Sequence, residues 1–78
     1  MAERVERVYA WLMTDAEGNE SVPAVAFPDG TVGPLIGTQR ASLEIYRDIA
    51  REIQRHSGHP VRFVCFESRV DLERLSDA

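Results

Sequence analysis

Any chemistry in this chain would come from a few small groups of side chains. Gly30, Gly33 and Gly37 lead up to Thr38 and Arg40, where the sequence predicts a helix to begin. Free backbone N–H groups and the dipole at a helix start both favour negative charge, which makes Gly37, Thr38 and Arg40 the candidate anion-binding residues. The phosphate-loop pattern, however, needs a lysine before its Ser or Thr, and this chain has no lysine. The glycine spacing also misses the dinucleotide fingerprint, so turn geometry alone explains the run.

His56, His59 and Cys65 are ligand types for zinc, but a structural site takes four ligands and no fourth stands out. A histidine in the last turn of a helix is explained by the negative end of the dipole. Neither a metal nor a cofactor is predicted. Cys65 sits among Phe63, Val64 and Phe66, where burial would raise its thiol pKa and leave it inert, so no catalytic residue is assigned. Asp15, Glu17, Asn19 and Glu20 gather oxygen ligands in one loop. A calcium loop needs its glycine at the sixth position and helices on both sides, and here Gly18 is fourth between predicted strands. A solvated hairpin tip is the better reading.

The aromatic residues say more. Tyr9, Trp11 and Met13 alternate along one side of a strand and Phe27 can join them, which makes these four the candidate interaction surface. Sheets that stack nucleic-acid bases on aromatics also carry a basic surround. Only Arg7 and Arg62 qualify, and the net charge is −4, so nucleic acid is a disfavoured partner.

These residues need elements to hold them. Arg7 to Thr14 alternates as a strand, with Val8, Ala10 and Leu12 on the side opposite Tyr9, Trp11 and Met13. Ser21 to Phe27 is predicted as a second strand, with Pro23 at a sheet edge or bulge. Pro28-Asp29-Gly30-Thr31 marks a turn, and Thr31 to Ile36 a weak third strand. One helix should run from an N-cap at Thr38 to Ser57, with Gly58 just past its end. Leu43, Ile45, Tyr46, Ile49, Ala50 and Ile53 fall on its apolar arc. Val61 to Phe66 reads as a central strand buried on both faces. Ser68 and Asp71 suggest a capping box for a short C-terminal helix using Val70, Leu72 and Leu75.

The expected fold is α+β: a three- to four-stranded, mostly antiparallel sheet with one long amphipathic helix on one face. Helical crossover should return the last strand beside the first, giving the order third, second, first, last. Seventy-eight residues make one domain with a marginal core. A single cysteine rules out an internal disulfide and suits a reducing compartment. Met1 to Arg7 alternates charge, unlike a signal peptide or membrane segment, so the expected location is the cytoplasm. All nine basic residues are arginine, which points to a bacterial source with a GC-rich genome.

Three strands apolar on both faces and a single long helix leave one sheet face without cover. That face holds either Val8–Ala10–Leu12 or Tyr9–Trp11–Met13, and its cover is either the short C-terminal element with Val70, Leu72 and Leu75 or another chain. The sequence therefore predicts a non-catalytic interaction or regulatory module that forms a homodimer through an apolar sheet surface. The alternative is a small-ligand, anion or nucleotide-binding protein, an enzyme included, with its site at the Gly30–Thr38 loop or between subunits.

Overall fold

The computed structural model describes residues 4–76, so Met1, Ala2 and Glu3 of the charged N-terminal stretch lie outside it. The chain forms an α+β domain organised around one strand, β1 (Val8–Thr14). β6 (Val61–Phe66) pairs antiparallel with β1 from Val8↔Phe66 to Met13↔Val61 and takes up one edge of it. The other edge is shared between two short strands. β2 (Glu20–Ser21) covers its far end at Thr14 and Met13, and β5 (Ile36–Gly37) covers Tyr9 and Ala10.

Between β2 and β5 the chain leaves the sheet as a separate two-stranded ribbon of β3 (Ala24–Ala26) and β4 (Val32–Pro34). Pro23 lies at the point of departure. It has no N–H to give, but its carbonyl accepts the Leu35 N–H at 3.1 Å and so closes the root of the ribbon. At the far end Thr31 O accepts from Phe27 N at 2.7 Å, and Gly30 N donates back to Phe27 O at 2.9 Å. The predicted second and third strands are thus each broken in two: β3 and β4 pair with each other as expected, while β2 and β5 both join β1. Second beside first, through β2, third beside second, through β3 and β4, and first beside last are all found; the pairing of β5 with β1 was not expected.

The predicted single helix is two: α1 (Arg40–Glu44) and α2 (Arg47–Ser57). The break has a specific cause. Trp11 Nε1, on β1, donates to the Leu43 carbonyl at 2.8 Å, and Tyr46 N donates to the same oxygen at 3.1 Å. In a regular helix that oxygen would take the N–H four residues on, so the indole has entered the ladder. The helix resumes with Ala50 N to Tyr46 O at 2.9 Å. Ile45, expected on the buried arc, is rotated out by the break and is 73% exposed. The N-cap is Gln39, without a side-chain bond, and not Thr38. The other end is as expected: Gly58 takes a left-handed φ of 73° and its N–H returns to Gln54 O.

Trp11, Leu35, Leu43 and Ala50 form the core, with Tyr9, Val25, Phe27, Tyr46, Ile53, Val61 and Phe63 packed on it. Helices and ribbon therefore share one side of the β1–β6 pair. β6 pairs with β1 alone, which makes it an edge strand and not the central one. Cys65 is accordingly exposed, against the expectation of a buried thiol. No helix forms after β6 among the described residues: from Glu67 onward the chain has no regular structure, and Val70, Leu72 and Leu75 are 79%, 92% and 82% exposed. The capping-box pattern lacked a surface for the apolar side of such a helix to pack on, and short helices depend on one.

Candidate functional site

In an antiparallel pair, residues directly opposite one another share a face. The register puts Tyr9 opposite Cys65, Trp11 opposite Phe63 and Met13 opposite Val61 on one face. Trp11 and Phe63 rings meet at 4.5 Å between centroids, Tyr9 and Phe63 at 6.2 Å, and Phe27 reaches Tyr46 at 5.5 Å. Arg47 places its guanidinium 5.9 Å from the Trp11 centroid. The helices lie over this face, leaving Trp11 6% exposed. Three of the four proposed interaction residues, Tyr9, Trp11 and Phe27, are thus in or against the core, and Met13 is half-buried on the same side. Trp11 is therefore closed to bases and to other chains, and Tyr9, Met13 and Phe27 present only part of their surface.

The other face is the open one. Val8 and Phe66, Ala10 and Val64, and Leu12 and Arg62 are paired on it, and β5 adds Ile36 beside Ala10. Ala10 is fully buried between the larger Val64 and Ile36, and Leu12 is almost so. Their neighbours at the rim are not: Ile36 is 43% and Phe66 50% exposed. Arg62 supplies the one charged group among these seven residues.

The predicted anion residues have other occupations. Gly37 belongs to β5, and a Cβ there would stand 2.9 Å from Leu43 Cδ2, so any larger residue would have to displace the Leu43 side chain. Arg40 Nε is bonded to Glu44 Oε1 at 2.6 Å. α1 has five residues and no side-chain cap. The Gly30–Thr38 loop does border a cleft of about 300 Å³, lined by Phe27, Leu35, Gly37, Leu43 and Tyr46 among others. Its lining is mainly apolar.

His56 pairs with Glu52 at 3.4 Å on the outer side of α2, where Glu52 also meets Arg55. Among the described residues, no three His, Cys, Asp or Glu side chains converge to hold a metal ion. Asp15 folds the hairpin tip: its Oδ1 accepts from the backbone N–H of Glu17 and of Asn19, both at 2.9 Å. The Asn19 bond is the main reason its carboxyl titrates below the usual value. Asp29 is lowered in the same way by Thr31, whose hydroxyl and N–H both donate to it. Each carboxylate is spent on its own turn. Among the described residues no helix is long and apolar enough to cross a membrane. Comparison with protein-family models, curated proteins and solved structures finds no match to the chain.

Proposed function

We propose that the chain is a non-catalytic interaction module that forms a homodimer through the open face, where Val8, Ile36, Val64 and Phe66 surround the buried Ala10 and Leu12. One observation carries the reading: helices and ribbon cover the Trp11 side of the sheet, while Ile36 and Phe66 remain 43% and 50% exposed on the other. Burying a large apolar side chain contributes ~1.5–3 kcal/mol, a sizeable share of the stability of so small a domain. A two-fold contact sets each patch against its own copy and closes without leaving a further patch exposed. The exposed thiol of Cys65 suits a reducing location, which supports placement in the cytoplasm. The all-arginine basic set supports a bacterial source.

Sedimentation equilibrium at micromolar concentration tests the dimer. The expected result is a dimer that Phe66→Arg converts to a folded monomer. A wild-type chain that stays monomeric at tens of micromolar removes the reading.

The apolar cleft beside Gly37 favours a second reading, a small-ligand protein. Its volume of about 300 Å³ lies at the lower end of the ligand-pocket range. Thermal unfolding against a panel of small aromatic and aliphatic ligands tests it. Stabilisation that Ser42→Trp, at the exposed rim of the cleft, abolishes would support this reading; no shift across the panel would reject it.

A further inference from the structure

The C-terminal segment is where the structure departs most from a compact domain. Its radius of gyration is 15.1 Å, against about 11–12 Å for a compact chain of this length. Val70, Leu72 and Leu75 stand in solvent immediately after Phe66, the residue at the rim of the open face. From the homodimer reading, on which this step rests, we infer that each copy lays its segment 67–76 across the open face of the other, so that the two copies exchange their C-terminal ends.

Area argues for it. Strands β1 and β6, about 4.8 Å apart and about six residues long at ~3.3 Å each, with the two residues of β5 beside them, present a face of roughly 200 Å². Specific interfaces start at roughly 600 Å² per partner, so two such faces pressed together fall short. Large aliphatic side chains such as Leu72 and Leu75 bury roughly 60–120 Å² each. With Val70 and the backbone between them, they bring each copy's share up to the order of 600 Å². The missing area and the unburied side chains match.

Direction argues for the other copy's face and not its own. The two ends of the chain leave the sheet side by side. Arg7 Nε faces Glu67 Oε1 at 3.7 Å, and Arg69 Nη1 donates to the Val5 carbonyl at 3.4 Å. Both contacts extend the register of Val8↔Phe66 beyond the sheet and hold the segment in line with β6, so that Val70 borders Val8 and Phe66 at the rim of its own face while Leu72 and Leu75 stay in solvent. Reversal at Glu67 would break them, whereas a second copy can receive the segment with both kept. Of the two acids that flank Leu72, Asp71 is held by Arg69 Nε at 2.9 Å, which leaves Glu73 to meet Arg62, the charged group on the face.

Analytical ultracentrifugation of the full chain, of L72D/L75D and of a chain ending at Glu67 tests the exchange, with helical circular dichroism confirming that each is folded. A wild-type dimer, weakened at least ~100-fold in both variants, supports it. A wild-type dimer that both variants retain at equal strength overturns the exchange and leaves the homodimer standing. A monomeric wild type overturns both, and self-association of the chain ending at Glu67 would then show the segment covering its own face. Mixing gives a further check: F66R has a damaged face and a sound segment, and L72D/L75D the converse. Heterodimer at concentrations where neither variant self-associates is the expected result. Its absence would overturn the exchange.

Discussion

On one side of β1, Trp11 lies 4.5 Å from Phe63 and its indole N–H holds Leu43. On the other, Ala10 lies between Val64 and Ile36, with the Leu12 side chain beside Arg62. Both faces are apolar and they come from the same seven residues. The difference is that the first joins a large hydrophobic surface to a polar tip, and a helix end offers carbonyls for that tip to use. Aliphatic side chains can attract a helix by burial but supply no donor to fix it. The single helical segment of the chain has therefore gone to the face that can both bury and lock it.

Substitutions can break this contrast, and the largest effect should come from charging the closed face. Leu43→Asp puts an unpaired carboxylate where 5% of the residue is exposed, and the domain should unfold in far-UV circular dichroism. Leu35→Ala, at 1% exposure, should cost ~2–5 kcal/mol in urea denaturation. Trp11→Phe keeps most of the ring and removes the donor to Leu43, so a loss of ~1–3 kcal/mol is expected. If Trp11→Phe is neutral, the indole hydrogen bond does not select the face. On the open face, Ile36→Ser should lower the stability of the monomer by no more than ~1 kcal/mol, measured in dilute solution. An effect as large as that of Leu35→Ala would mean that the two faces are equivalent.

Acid titration supplies the smallest effect, from a region belonging to neither face. Asp15 has a lowered carboxyl pKa when folded, so its contribution is complete above its unfolded value near 3.8 and is lost as pH falls through the lower folded value. Asp15→Asn keeps an acceptor for the Glu17 and Asn19 N–H groups but does not titrate. The urea midpoint of this variant should fall less between pH 5 and pH 3 than that of the wild type.

Features encoded within a few residues were legible from sequence. The turn at Pro28–Thr31, the alternation of β1 and the stop at Gly58 each depend on local dihedral preferences. The helix break was not, because its cause lies 32 residues away in Trp11. β6 was misplaced for a related reason: an unbroken apolar run signals burial on both faces, but here one face of that run is the open surface at Val64 and Phe66. The candidate surface was half legible. Alternation in β1 showed that one of two faces must lack cover, and the aromatic one was preferred. Only the three-dimensional position of Leu43, within reach of the indole, shows that the aromatic face is the one the helix takes.

The ribbon of β3 and β4 has a consequence for how this sequence can change. Its two strands emerge from an interruption in a single edge of β1, and the bond from Leu35 N to Pro23 O clasps them together at the root. Val25 midway and Phe27 at the far end hold the ribbon against the core, so shortening it would uncover Tyr46. The exposed tip at Pro28, Asp29 and Gly30 has no such duty. It is the point at which a foreign loop could be grafted, or the length of the chain could drift, while the register of β1 stays fixed.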